Sequence, residues 1–279
     1  MKIAILSGKG GTGKTFISTN LANTLERCTY IDCDVEEPNG NIFFKSKDIF
    51  EEDVNILLPK IDLSKCISCR ECANFCKFNA ISFIKNKPKI LKNVCHSCGG
   101  CKIVCKQNAI SEYEYCIGKI IKGKYKNLTI YSGKLNIGEE SGIPIINNIL
   151  KNANNDNEIY IIDCPPGTAC SVIETISNVD YCIIVAEPTI FGVSNFEMVL
   201  ELVNLLKKPF GVIVNKYEDN NNPMTKYCTT KNIPIIASIP FSKETANLVA
   251  SGTIATDENN ELKQIFKEII NKIISKKGL

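Results

Sequence analysis

Apolar positions along this chain switch between two periods. Lys2–Ser7 is a short apolar run closed by glycine, which predicts a buried strand. From Lys14 to Glu26 the apolar residues Phe16, Ile17, Leu21 and Leu25 recur at helical spacing. Further apolar runs at Thr29–Asp32, Leu128–Tyr131, Ile159–Asp163, Tyr181–Val185, Gly211–Asn215 and Ile233–Ile239 predict strands, with helical patterns between most of them. Strands that alternate with helices predict an α/β fold, a mostly parallel sheet sandwiched by helices. Near the C-terminus Leu262, Ile265, Phe266, Ile269, Ile270 and Ile273 form an apolar stripe with Lys263, Lys267 and Lys272 opposite. Packing on its own domain, rather than on a membrane, is the expected role of that stripe. The polar stretches Asn152–Glu158 and Asp219–Asn222 predict loops.

The rhythm stops between about Ile61 and Tyr115, where no long helical pattern occurs. A unit repeats there with an offset of 29: Cys66–Ser82 aligns with Cys95–Ser111, and Asn79-Ala80-Ile81-Ser82 matches Asn108-Ala109-Ile110-Ser111. Each copy reads C-x2-C-x2-C-x3-C, the spacing by which bacterial-type ferredoxins hold two 4Fe–4S clusters. In that pattern the fourth cysteine of each run ligates the other cluster. Cys66, Cys69, Cys72 and Cys105 are then expected to hold one cluster, and Cys95, Cys98, Cys101 and Cys76 the second. Structural zinc favours two separated C-x2-C pairs, and four cysteines packed into eleven residues, twice, fit cubane clusters better. A module of about 55 residues has little apolar core, so bound clusters are expected to supply much of its stability. Lys77 and Lys106 stand where the pattern usually has proline, and their charge is expected to raise the cluster potentials. His96, the only histidine, is expected to be an exposed loop residue. Among the other cysteines, Cys28, Cys33 and Cys182 look like small buried hydrophobes, and Cys116 and Cys228 are uninformative.

Composition narrows the class. At 279 residues the chain suits one sizeable domain plus a small one. A net charge of +3 gives no basic stripe of the kind that nucleic acid requires. No apolar run approaches the roughly 18 residues of a membrane span, and Ile3–Leu6 is too short for a signal peptide. Fifteen cysteines, most at metal-type spacing, point to a reducing cytoplasm rather than a disulfide scaffold.

The first strand runs into Gly8-Lys9-Gly10-Gly11-Thr12-Gly13-Lys14-Thr15, a phosphate-binding loop ahead of a helix. Its backbone N–H groups turn toward phosphate oxygens, Lys14 reaches the β- and γ-phosphates, and the Thr15 hydroxyl binds Mg²⁺. The extra Lys9 resembles the deviant Walker A motif of the MinD/ParA/Mrp superfamily of ATPases. Matching segments span nearly the whole chain: DCDVEEPN, GEESG, DCPPGTAC, VAEPTIFG, FGVIVNKYE and SIPFSKETA. The chain is similar to members of that superfamily with an inserted ferredoxin domain, here an α+β unit at residues 60–115 between ATPase portions 1–59 and 116–279. The resemblance implies that Lys9 reaches the nucleotide of a second subunit in an ATP-dependent homodimer. It implies that Asp34 orients the attacking water, that Asp32 and Asp163 sit at Mg²⁺, partly through water, and that Gly167 approaches the γ-phosphate. It also implies Asn215 as the adenine-reading side chain, with Ile239-Pro240-Phe241 lining the base. Cys164 and Cys170 flank the Gly167 turn, where buried or polar filler is expected rather than a cluster or metal shared across a dimer.

These features together lead to an ATPase whose Mg²⁺-ATP state controls a two-cluster ferredoxin module. The output is electron delivery to a metalloprotein partner or maturation of one. The alternatives are a non-catalytic electron carrier, a nucleotide-gated binding module, and an iron–sulfur assembly carrier. No C-x-x-C pair lies outside the repeat, which weakens the assembly reading.

Overall fold

The computed structural model describes residues 1–153, 159–219 and 221–276. Most of the predicted Asn152–Glu158 loop, and one residue of Asp219–Asn222, lie outside these. The strands are β1 (Lys2–Leu6), β2 (Thr29–Asp32), β3 (Lys47–Ile61), β4 (Ile81–Ile84), β5 (Lys87–Ile90), β6 (Ile110–Tyr125), β7 (Leu128–Leu135), β8 (Tyr160–Asp163), β9 (Tyr181–Ala186), β10 (Phe210–Tyr217) and β11 (Ile235–Pro240). The helices are α1 (Lys14–Thr24), α2 (Gly40–Phe44), α3 (Glu71–Phe75), α4 (Gly100–Ile103), α5 (Ile143–Asn152), α6 (Cys170–Ile176), α7 (Ile190–Leu205), α8 (Pro223–Thr230), α9 (Lys243–Ala250), α10 (Ala255–Glu258) and α11 (Asn260–Lys276).

Nine of the strands form one sheet in the order β11-β10-β9-β1-β8-β2-β7-β6-β3. From β11 to β7 every neighbouring pair is parallel. The interior strands are apolar on both faces because helices cover both. One face packs Ile31, Ile162, Ile184 and Val214 against α5, α6, α7 and α8. The other packs Ile3, Ile5, Tyr30 and Ile161 against α1 and α11. The C-terminal stripe belongs to this second layer: Leu262, Phe266, Ile269, Ile270 and Ile273 are buried, and Phe266 meets Phe16 edge-on at 6.0 Å. That stripe is spent on the protein's own core. Among the described residues no helix is long and apolar enough to cross a membrane.

No long helix occurs around the cysteines, and long strands cross both borders of the segment. β3 and β6 pair antiparallel from Lys47–Lys124 to Ile61–Ile110, across both edges of the 60–115 segment. β7 accompanies β6 only from Gly118 to Tyr125, so the Ile110–Ile117 half of β6 and its β3 partner continue past the sheet as a two-stranded ribbon. Residues 62–109 hang from the end of that ribbon. No apolar run marks the start of β3, because its first seven residues, Lys47–Asp53, are exposed and five of them are charged.

Within 62–109 the duplication appears in the backbone. Ser68 and Ser97, Arg70 and Gly99, and Asn79 and Asn108 are pairs at the same offset, and all six are left-handed. Arg70 and Gly99 start the short helices α3 and α4. Asn79 and Asn108 close matching turns by donating to the carbonyls of Cys76 and Cys105, at 3.2 and 3.0 Å. Only Ala80, Ile81, Gly100 and Ala109 are buried in this segment. So small a core supplies little apolar stabilisation of its own.

Candidate functional site

The carboxyl ends of β1, β2, β8, β10 and β11 converge on one cavity of about 620 Å³, where open parallel sheets place their ligands. Its floor is the Gly8–Thr15 loop. Ser7 and Thr12 hydroxyls both donate to the Lys9 carbonyl, at 2.9 and 3.1 Å, which fixes the loop's curve. Gly11 and Gly13 are left-handed, with φ of 78° and 97°. A Cβ on Gly13 would also collide with the Asn215 amide. Gly13→Ala is therefore expected to cost about 1–2 kcal/mol from backbone strain alone and to displace the loop from Asn215. Loss of ADP binding in a titration, with a lowered melting temperature, is the expected reading.

Lys14 is the charged centre of the site. Its ammonium donates to Asp163 Oδ1 at 2.6 Å and lies 3.6 Å from Asp34 Oδ2. Burial would lower its pKa; Asp163, Asp34 and Asp32 outweigh that and hold it above its ordinary value. Asp163 also accepts from the Tyr30 hydroxyl at 3.2 Å. Asp32 is fully buried, accepting from the backbone N–H of Asp34 at 3.1 Å and of Gly40 at 2.8 Å. Burial, then the neighbouring Asp163, push its pKa up to about 8. Two carboxylates this close in a dry site favour a divalent cation beside them. Burial likewise raises Asp34, and Lys14 pulls it back. Thr15 and Pro166 complete this end of the cavity, and the left-handed Gly167 is tied in by donating to the Ser7 carbonyl at 2.9 Å.

The opposite end is apolar. Ile239, Pro240 and Phe241 line it as expected from the sequence. Ile42 and Phe43 of α2 and Thr245, Ala246 and Val249 of α9 also line it, and sequence reasoning missed these. The SIPFSKETA segment held the only signal for α9. Asn215 faces the cavity, but its amide nitrogen donates to the Thr12 carbonyl at 2.8 Å, so it also braces the phosphate loop. Lys9 does not project freely. It pairs with Glu187 at 2.7 Å, with 43% of its side chain exposed. Lys216 joins the same carboxylate at 2.9 Å and donates to the Gly11 carbonyl at 2.7 Å. Burial would raise Glu187, but the two lysines draw it below its ordinary pKa.

The eight paired cysteines surround two separate cavities. Cys66, Cys69, Cys72 and Cys105 line one of about 70 Å³, and Cys95, Cys98, Cys101 and Cys76 line another of about 160 Å³. Each set thus takes its fourth thiol from the other copy of the repeat. Cys76 and Cys105 sulfurs accept from the backbone N–H of Ala80 and Ala109, at 3.4 and 3.3 Å. The Cys95 set lies nearer the sheet: its cavity reaches Pro59 and Glu112, and that of the Cys66 set reaches Ile61 and Ile110 at the ribbon's tip. The surroundings break the repeat's symmetry. Arg70 caps Phe83 at the distal cavity, where the equivalent proximal positions are Gly99 and Glu112. His96 is exposed as expected, yet it stacks on Phe78 at 3.7 Å in the proximal wall. Among the described residues no three His, Cys, Asp or Glu side chains close on a single metal ion. The thiols surround spaces larger than one ion. Cys28, Cys33, Cys164, Cys182 and Cys228 are buried in the main domain, and Cys170 is exposed.

A contact path joins the two regions. Val35, next to Asp34, packs on Gly133 and Gly142 and accepts from the Leu135 N–H at 2.8 Å. The loop after Leu135 carries Glu139, which accepts from the Tyr115 hydroxyl at 2.6 Å and pairs with Lys92 at 3.4 Å. Lys92 lies three residues before Cys95 and also contacts Tyr115.

The family model described as CobQ/CobB/MinD/ParA nucleotide binding domain matches residues 3–255. An uncharacterized protein of Methanocaldococcus jannaschii is 35% identical over 281 residues, spanning 98% of this chain and 96% of its own. An uncharacterized ATP-binding protein of the same organism is 25% identical, spanning 99% of this chain and 88% of its own. Among solved structures, the septum site-determining protein MinD of Pyrococcus horikoshii, with Mg-ADP, superposes with a TM-score of 0.62 at 18% identity, over 98% of this chain and 95% of that one. A plasmid partition protein of Borrelia burgdorferi bound to AMPPNP gives 0.58 at 16% identity, over 99% and 98%. At that identity the structural likeness speaks for the fold.

Proposed function

Since the chain belongs to the CobQ/CobB/MinD/ParA nucleotide-binding family, we propose that it is a dimerising ATPase whose Mg²⁺-ATP state controls a two-cluster ferredoxin module, inserted at about residues 60–115. The module delivers electrons to a metalloprotein partner or matures one. The observation that carries this reading is the crossed grouping of the eight thiols around two cavities, connected by packing to Asp34.

In the nucleotide cavity, Gly8–Thr15 binds the phosphates through backbone N–H groups and Lys14. Thr15, Asp32 and Asp163 hold Mg²⁺, partly through water. The buried, crowded carboxylates fit that ion, whose charge offsets their repulsion. Asp34 orients the attacking water, and Asn215 meets the adenine while bracing Thr12. Lys9 exchanges Glu187 for the nucleotide of the second subunit, which its exposure allows.

In the insert, Cys66, Cys69, Cys72 and Cys105 hold one 4Fe–4S cluster, and Cys95, Cys98, Cys101 and Cys76 the other. The four-thiol donor sets and their enclosed spaces fit such groups, which supply one-electron storage when bound. The Ala80 and Ala109 N–H groups stabilise charge on the sulfurs. Movement of the Asp34–Val35 segment with nucleotide state reaches the proximal site through Glu139, Tyr115 and Lys92.

Midpoint potentials of anaerobically reconstituted protein, measured with Mg-ADP and with a non-hydrolysable ATP analogue, test the coupling. A shift between the two states is expected for one cluster at least. Tyr115→Phe combined with Glu139→Gln is expected to erase that shift while ATP hydrolysis and iron content persist. Identical potentials in both nucleotide states of the unaltered protein would remove nucleotide control from the proposal.

A further inference from the structure

Charge is divided unevenly between the two parts of the molecule. Residues 62–109 hold nine Lys or Arg against two Asp or Glu, a net of +7. The whole chain carries +3, so the remaining residues carry −4. Two oxidised four-iron clusters with their thiolates would cancel about four of the insert's positive charges, leaving it basic. Four of its cations are paired with carboxylates: Lys65 with Asp62, Lys92 with Glu139, Lys102 with Glu112 and Lys106 with Glu71. Lys77, Lys85, Lys87 and Lys89 are exposed, and none has an ion-pair partner among the described residues.

One surface feature combines this charge with access to both thiol sets. An open groove of about 630 Å³ runs between the β4–β5 hairpin and the tip of the ribbon. It shares Pro59 and Ile90 with the wall of the proximal cavity, and Ile61 and Pro88 with the wall of the distal one. A molecule seated there is one side chain away from either site. Lys60 and Lys89 supply the groove's charge, and no carboxylate lines it. Leu63 and Tyr113 add apolar surface, 53% and 44% exposed. On the hairpin's same outward face, Lys87 is two residues from Lys89, and Lys85 lies at the turn. Exposed apolar side chains set among unpaired cations are the composition of a protein-docking surface.

We propose that this groove docks an acidic one-electron carrier protein, whose carboxylates meet Lys60, Lys85, Lys87 and Lys89 and whose apolar rim meets Leu63 and Tyr113. The inference rests on the two-cluster reading above. Across the contact one electron passes, the centre on one side being oxidised as the other is reduced. The like charge of two inserts also opposes the covering of one copy's groove by the insert of another.

The test is calorimetric titration of the iron-loaded protein with an acidic plant-type ferredoxin, under anaerobic conditions. Saturable binding is expected that weakens about ten-fold between about 20 and 200 mM salt, since exposed opposite charges are screened over a Debye length. Lys60→Glu with Lys89→Glu is expected to weaken it at least ten-fold at low salt, with iron content unchanged. Lys226→Glu with Lys231→Glu, on α8 and at its C-terminal cap in the main domain, is expected to leave it unchanged. Should the reversed pair lose iron, Lys60→Gln with Lys89→Gln is expected to show the same weakening, smaller in size. Salt-independent binding, no binding, equal loss from the α8 pair, or tighter binding of a basic cytochrome or of single-stranded DNA would each overturn the docking surface. Iron content and absorbance near 400 nm are read on the same sample. Their absence overturns the two-cluster reading itself, whereas loaded protein that ignores the ferredoxin overturns the groove alone.

Discussion

Asp34→Ala is expected to keep nucleotide affinity and to lower phosphate release by about 10²–10⁴-fold. The proposed nucleotide contacts in this cavity are the glycine loop, Lys14 and the apolar end formed by α2, β11 and α9. Asp34 belongs to none of these. It sits at the cavity edge, 19% exposed, with Oδ2 3.6 Å from the Lys14 ammonium. A carboxylate there can accept a hydrogen bond from a water aimed at the γ-phosphate, and phosphoryl transfer depends mostly on such positioning. Its backbone N–H is bonded to Asp32, so truncation of the side chain leaves the segment anchored. Phosphate release and an ATP titration, run on the same preparation, check this. Undiminished release would take Asp34 out of the mechanism.

The second large effect concerns the crossed thiols. Cys105→Ala is expected to cost about half of the bound iron, and the half that goes belongs to the Cys66 set, thirty-odd residues upstream. Cys105 lines the distal cavity with Cys66, Cys69 and Cys72, and Cys76 lines the proximal one. The electron paramagnetic resonance spectrum of reduced Cys105→Ala should then match that of Cys69→Ala and differ from that of Cys98→Ala. The converse pattern, in which Cys105→Ala matches Cys98→Ala, would show four consecutive cysteines serving one cluster. A drop in melting temperature is expected as well, because only Ala80, Ile81, Gly100 and Ala109 are buried in the segment.

The main domain was legible because its signals are local. A buried parallel strand must be apolar throughout, so β1, β8, β9 and β10 announced themselves. The glycine loop was legible because left-handed backbone at Gly11 and Gly13 admits few other residues. The β3–β6 ribbon was not. The start of β3, Lys47–Asp53, is exposed, so neither period of apolar residues marks it, and the strand's partner lies about sixty residues away. Glu187 escaped notice for a related reason. It stands in the quoted VAEPTIFG segment, but its hold on Lys9 and Lys216 joins residues 178 and 29 positions apart. Asn215 shows a mixed result: the segment led to the cavity, while its bond to Thr12 appeared only in three dimensions.

By itself the sequence determined the chemistry available here: a phosphate loop, carboxylates at strand ends, and eight thiols at cluster spacing in a 29-residue repeat. Those follow from residue identity and from short-range geometry, which a linear chain displays. Tertiary structure decided which groups meet. It gathers the thiols into crossed sets, turns Lys9 toward Glu187, and lays one groove along both cysteine cavities. It also joins Asp34 to the proximal set through Val35, Glu139 and Lys92. Such contacts arise from the packing of distant segments, where burial and charge pairing select partners that no local spacing can name.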